Sequence, residues 1–202
     1  MKRQLGYSLV EMIVVIALYT LLMLVVYTAV LFFYRTNSYT VQQTAAVSNG
    51  RRAVNEMVED MREVTEGDNG AFPLIAIDDN SIEFYSDIDR DFFVEKARYY
   101  ISVDGNFIRE KTDPDPGSDP VTYTGTPEVD ILAQYIINDL LDTNLFYYVD
   151  GNGSVVTDYV NDIVDVRYIL ARLVVNVDPV RQPDEFVIKS GAILRNLETI
   201  VE

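Results

Sequence analysis

Residues Met12 to Tyr34 form a run of 23 without a single charged side chain. The run contains no Gly or Pro and consists mostly of Val, Leu, Ile, Met, Phe and Ala. As a helix it measures ~35 Å at 1.5 Å per residue, enough to cross a bilayer core of ~30 Å. Its polar members are Tyr19, Thr20, Tyr27, Thr28 and Tyr34. Threonine hydroxyls bond back to a helix, and tyrosine is tolerated in membranes, best near the interfaces. A cleaved secretory signal would have an apolar region of about 7–15 residues ending in small side chains. This run is longer and closes on Phe32, Phe33 and Tyr34.

Lys2 and Arg3 precede the run, and only Arg35 follows it closely. Positive charge holds its end of a membrane segment in the cytoplasm, so the expected topology is amino end inside and carboxyl end exported. One acid, Glu11, sits at the edge of the run. A carboxylate costs about 2.5–3.5 kcal/mol at the centre of a membrane helix and less near its end, so intramembrane acids usually have a specific partner.

The residues before it read Gly6-Tyr7-Ser8-Leu9-Val10-Glu11, after a short basic leader. This segment closely resembles the processing site of type IV prepilins and type II secretion pseudopilins. That pattern is a basic leader ending in Gly, then an aromatic residue, Ser or Thr, Leu, an aliphatic residue, and Glu. Tyr7 stands where Phe is usual. The resemblance implies that a prepilin peptidase cuts after Gly6 on the cytoplasmic face and methylates the new amine on Tyr7. It also implies that Glu11 draws the subunit into a filament by pairing with the amino terminus of a neighbour. Two charges that are costly apart in lipid become tolerable together. The implied partners are the peptidase, other pilin or pseudopilin subunits and an inner-membrane assembly platform. The implied location is the cytoplasmic membrane, and after assembly a pilus or pseudopilus.

The whole chain has 202 residues with no Cys, His or Trp, and 16 Lys+Arg against 32 Asp+Glu, a formal charge of −16. A histidine-based triad, a cysteine nucleophile and Cys/His zinc sites are excluded. No disulfide can staple the exported part. Nucleic acid is a poor partner for so acidic a chain. Removing Met1–Gly6 takes away Lys2 and Arg3, leaving 14 basic against 32 acidic residues, or −18. A carboxylate hydrolase is compatible with composition, but no catalytic signature accompanies the acids. The expectation is a structural subunit without enzymatic activity or cofactor.

Four segments are expected: a leader at 1–6, a transmembrane and filament-core helix at 7–35, an amphipathic spine at 36–66, and an exported β-rich domain at 67–202. The first proline is Pro73, and Gly50 is the only glycine between Gly6 and Gly67. About sixty residues therefore lack strong helix breakers. Val47, Val54, Met57, Val58, Met61 and Val64 recur at helical spacing, opposite Arg51, Arg52, Glu56, Glu59, Asp60 and Glu63. The apolar stripe should pack under a sheet. Arg52 and Glu56 are i,i+4 partners, and Gly50 is the expected bend or local melting point.

Beyond Glu66 the period changes. Strands are expected at Leu74 to Ile77 and Ser81 to Tyr85, with Ile82 and Phe84 on one face. Ala97 to Val103 should place Tyr99, Ile101 and Val103 on one face. Asp104-Gly105 joins it to Asn106–Lys111 as a hairpin. Thr112 to Pro127 holds four of the seven prolines and reads as an irregular loop. Residues 128–141 are open between helix and strand. Leu145–Val149 and Ser154–Thr157 flank Asp150-Gly151-Asn152-Gly153 as a second hairpin. Ile163–Val177 is a long β-branched strand. Asp178–Asp184 turns the chain back, and Phe186–Arg195 returns antiparallel.

The expected fold is therefore α+β and pilin-like: a long amino-terminal helix, with its second half packed on a mostly antiparallel sheet. The β-rich domain, the Ser81–Tyr85 strand leading into an acidic turn, the Tyr-rich hairpin and the end Leu194-Arg195-Asn196 resemble J-type minor pseudopilins and related minor pilins. Asp87, Asp89 and Asp91 with Glu95 are weak calcium candidates, because alternating oxygen ligands suit a hard cation. The EF-hand pattern fails, with Phe92 where Gly is needed and Arg98 where the bidentate Glu belongs. A solvated acidic turn is the simpler reading. The alternative to a filament subunit is a single-pass anchored binding domain that never polymerises.

Overall fold

The computed structural model describes residues 8–180, 185–194 and 197. The chain divides into two compact units, Met1–Gln42 and Gln43–Glu202. One helix, α1 (Leu9–Arg62), contributes to both. It runs through the polar Thr36–Thr44 stretch, where no Pro or Gly offers a break. In the first unit residues 8–38 are all exposed, including the whole charge-free run.

The second unit holds two antiparallel sheets. The first has five strands in sequential order: β1 (Leu74–Ile77), β2 (Ser81–Ser86), β3 (Glu95–Ile101), β4 (Phe107–Thr112) and β5 (Glu128–Ala133). The second has three: β6 (Phe146–Asp150), β7 (Val166–Val175) and β8 (Phe186–Ile193). With α1 this is the α+β, pilin-like layout expected from the sequence.

Strand alternation decides what meets the helix. Ile82 and Phe84 on β2, Ala97 and Tyr99 on β3, and Phe107 on β4 are completely buried. Phe84 stacks on Tyr99 with centroids 5.9 Å apart. From α1, Val54, Met57, Val58 and Met61 enter the same core. Burying such side chains contributes roughly 1.5–3 kcal/mol each. The helix ends at Arg62, and Val64 then bridges to Ser86 at the end of β2. The second sheet joins through the β1–β2 turn, where Asp79 O accepts from the Leu145 and Phe146 amides, both at 2.9 Å. The Tyr148 hydroxyl donates to Asp78 O at 2.8 Å.

Several expectations need correction. Gly50 is not a melting point: the helix continues through it. An added Cβ there would lie 2.9 Å from Ile188 Cδ1 and 3.2 Å from Val175 Cγ2, so the glycine lets β7 and β8 close on the helix. Asp60 is not on a solvated face. It is buried and accepts a hydrogen bond from the Tyr99 hydroxyl. Glu56 pairs with Arg109 on β4, while Arg52 bonds Asn49. Strand β3 stops at Ile101, because the Asp104-Gly105 turn begins at Ser102, and Val103 is fully exposed. The second hairpin does form, but its return arm Ser154–Thr157 is short: opposite β7, it pairs with the other edge of β6 through the Val155–Val149 bridge, with the Val156 amide donating to Tyr148 O and the Asp150 amide to Ser154 O, both at 2.9 Å. Residues 128–141 resolve as β5 followed by a short 3-10 turn at Asp139–Leu141. A second such turn, Ile163–Asp165, opens what was expected to be one long strand. Pro183, Asp184, Arg195 and Asn196 lie outside the described residues.

Candidate functional site

The candidate site is the amino-terminal part of α1. Ser8 precedes the helix and its carbonyl accepts the Met12 amide at 3.2 Å, closing the first turn. Glu11 lies in that turn and is exposed. From Met12 to Tyr34 every side chain is uncharged and exposed. The Thr20 and Thr28 hydroxyls donate to the carbonyls of Ala17 and Val25, each at 2.9 Å. This helix is long and apolar enough to cross a membrane. Gly6 and Tyr7, the expected cleavage and methylation residues, lie outside the described residues.

A second constellation lies in the other unit. The structure brings Asp87, Asp89, Asp91 and Glu95 together, with one carboxylate oxygen from each lying within 4.8 Å of the others. Hard oxygen donors of that kind suit calcium. Each of them, however, already has a donor, from the loop itself or from β4. The Ile88 amide donates to Glu95 at 2.7 Å and the Asp91 amide to Asp87 at 3.2 Å. The Phe93 amide donates to Asp91 at 2.9 Å, and Lys111 Nζ to Asp89 at 3.0 Å. A self-satisfied acidic turn accounts for this geometry without an ion.

The electrostatics follow the contacts. Burial pushes the Glu95 carboxyl up to about 7, helped by the charges of Asp89 and Asp91 and opposed by the Ile88 amide and Lys111. The Lys111 ammonium holds Asp89 below the ordinary carboxylate range. Phe92 adopts φ +77° and is 93 % exposed, so a bulky residue occupies the left-handed position where glycine would be at ease.

The Pro-rich loop after β4 folds over this turn. Asp113 and Asp115 from that loop, with Asp68, Asp89, Asp91, Glu95, Phe92 and Phe93, line a cleft of about 680 Å³. The sequence reading missed the far wall, because the two loops are more than twenty residues apart and meet only through the β3–β4 hairpin. The paired Asp-Pro steps at 113–116 were its only local signal.

Residues 1–27 match the family model described as the prokaryotic N-terminal methylation motif. The chain carries a prepilin-type amino terminus. The matched segment covers Gly6, Tyr7 and Glu11 and continues into the exposed apolar helix. This motif supports the type IV pilin and pseudopilin family. No curated protein and no solved structure matches the chain.

Proposed function

We propose that this prepilin-type chain is a minor pilin or pseudopilin, most similar to the J-type subunits. A prepilin peptidase removes Met1–Gly6 on the cytoplasmic face and methylates Tyr7. The Met12–Tyr34 segment then holds the subunit in the cytoplasmic membrane as a single pass, with its β-rich domain exported. Other pilin-like subunits and an inner-membrane platform extract it into a short filament. Glu11 supplies the lateral charge that pairs with a neighbour's amino terminus, and the chain acts as a structural subunit rather than an enzyme.

The observation that carries this reading is the continuity of the methylation motif at 1–27 with a helix whose side chains are all exposed. An apolar surface of that extent needs lipid or other helices around it. A secreted monomer could not keep it in water. The second reading, an anchored binding domain that does not polymerise, draws on the acidic cleft beside Phe92.

A Glu11→Ala change separates the two. In cells that make the peptidase and sibling subunits, the variant should reach the membrane in normal amount yet be missing from sheared filaments. Incorporation at the unaltered level would remove Glu11 from the assembly role and favour the second reading.

A further inference from the structure

Thr20, Tyr27 and Tyr34 stand seven residues apart on α1, while Tyr19 and Thr28, the other hydroxyl side chains of the run, lie about 80° and 100° from Tyr27 around the helix. Seven residues turn an α-helix about 20° short of two full turns, so the three fall within an arc of about 40°. Leu18 and Val25, on the opposite side, are aliphatic. All three hydroxyl side chains are exposed. Thr20 spends its proton on the Ala17 carbonyl and keeps its lone pairs free. Among the described residues, the phenol groups of Tyr27 and Tyr34 have no hydrogen-bond partner.

Tyr34 closes the charge-free run and fits an interfacial tyrosine. Tyr27 does not. It lies four residues from Met23, the midpoint of Met12–Tyr34, or ~6 Å from the centre of the span. At that depth no water or headgroup is within reach of the phenol, and an unpaired hydroxyl in hydrocarbon is unfavourable. The partner must come from another membrane helix.

We infer that Thr20, Tyr27 and Tyr34 form a self-complementary hydroxyl seam through which two copies of this chain pair in the membrane. This rests on the reading above that Met12–Tyr34 spans the bilayer. Two copies of a single-pass chain insert in the same sense, so they meet in parallel and like residues face each other at equal depth. A phenol both donates and accepts, so Tyr27 can bond Tyr27, and Tyr34 can bond Tyr34. Thr20, with its proton engaged, offers an acceptor to Tyr19 of the other copy. The seven-residue repeat is the spacing that keeps one face in register along a left-handed helix pair.

The chain has no cysteine, so single thiols report the contact directly. Full-length protein co-expressed with a prepilin peptidase is oxidised in isolated membranes after Ile16→Cys or Met23→Cys on the seam side. Leu18→Cys and Val25→Cys serve as controls on the far side. The seam predicts disulfide dimers at 16 and 23 with roughly tenfold less at 18 and 25. Adding Tyr27→Phe to the Met23→Cys chain keeps the ring and removes the hydroxyl. It should lower dimer yield about threefold, the fold-change that ~0.6 kcal/mol for an average membrane hydrogen bond produces.

Equal cross-linking around the helix, no effect of Tyr27→Phe, or cross-links only to a different protein would overturn the seam while leaving the membrane reading intact. A chain absent from the membrane fraction would overturn both.

Discussion

Arg109 on β4 holds its Nη1 2.7 Å from the Glu56 carboxylate on α1. The same guanidinium reaches Asp130 on β5 at 2.7 Å and Asp60 at 3.5 Å. One cation thus ties the helix to two neighbouring strands, beside a Tyr99 hydroxyl that donates to Asp60. Burial raises the Asp60 carboxyl above its ordinary value, and the Tyr99 bond and the Arg109 charge oppose that rise.

Removing the cation leaves a buried carboxylate without its counter-charge. An Arg109→Met chain should therefore lose about 3–5 kcal/mol of stability, the usual cost of breaking a buried pair from one side. Urea unfolding of the full chain in detergent checks this, read by tyrosine fluorescence. A loss under 1 kcal/mol would mean that the cluster is not a structural tie.

Phe92 offers the opposite kind of change. Its φ of +77° costs a non-glycine residue about 1–2 kcal/mol, and the side chain is 93 % exposed, so little packing is lost with it. Glycine gives back part of that gain through a freer unfolded chain, about 0.4–1 kcal/mol. A Phe92→Gly chain should be more stable by about 0.5–1 kcal/mol in the same unfolding measurement. Destabilisation would show that the exposed ring is held by something beyond its own loop.

The corrections to the sequence reading share a cause. Helix, strands and the first hairpin were legible because period and turn residues are local. Ile82 and Phe84, or Met57 and Met61, announce their face by spacing alone. Asp60 was misplaced because its spacing says surface, and only Arg109 and Tyr99, 49 and 39 positions away, make its burial tolerable. Gly50 was misread for the same reason: its neighbours Ile188 and Val175 come from the far end of the chain. Of the candidate sites, Glu11 was readable as a motif, whereas the second wall of the acidic cleft exists only once the β3–β4 hairpin brings two loops together.

Glu95 sets a pH dependence. Its carboxyl is buried among Asp87, Asp89 and Asp91, with Lys111 of β4 facing it, and is pushed from 4.5 up to about 7. The folded chain therefore holds this proton more tightly than the unfolded chain. The stability it confers is fully present below about 4.5 and is lost as pH rises through about 7. The loss amounts to ~3 kcal/mol at most. Glu95→Gln should flatten stability between these limits and make the chain more stable than the parent at pH 8. Millimolar calcium added at pH 8 provides the contrast. A self-satisfied turn predicts no change in Tm, whereas a rise that vanishes in Glu95→Gln would assign the four acids to a cation.

Processing by a prepilin peptidase would change the mass of the amino terminus. The full-length chain is produced with and without a prepilin peptidase, and the amino-terminal peptide is read by mass spectrometry. With the peptidase, Met1–Gly6 should be absent and the new terminus should be an N-methylated Tyr7. An amino terminus that stays intact beside an active peptidase, or a cut at any other bond, would mean that the chain is not processed as a prepilin.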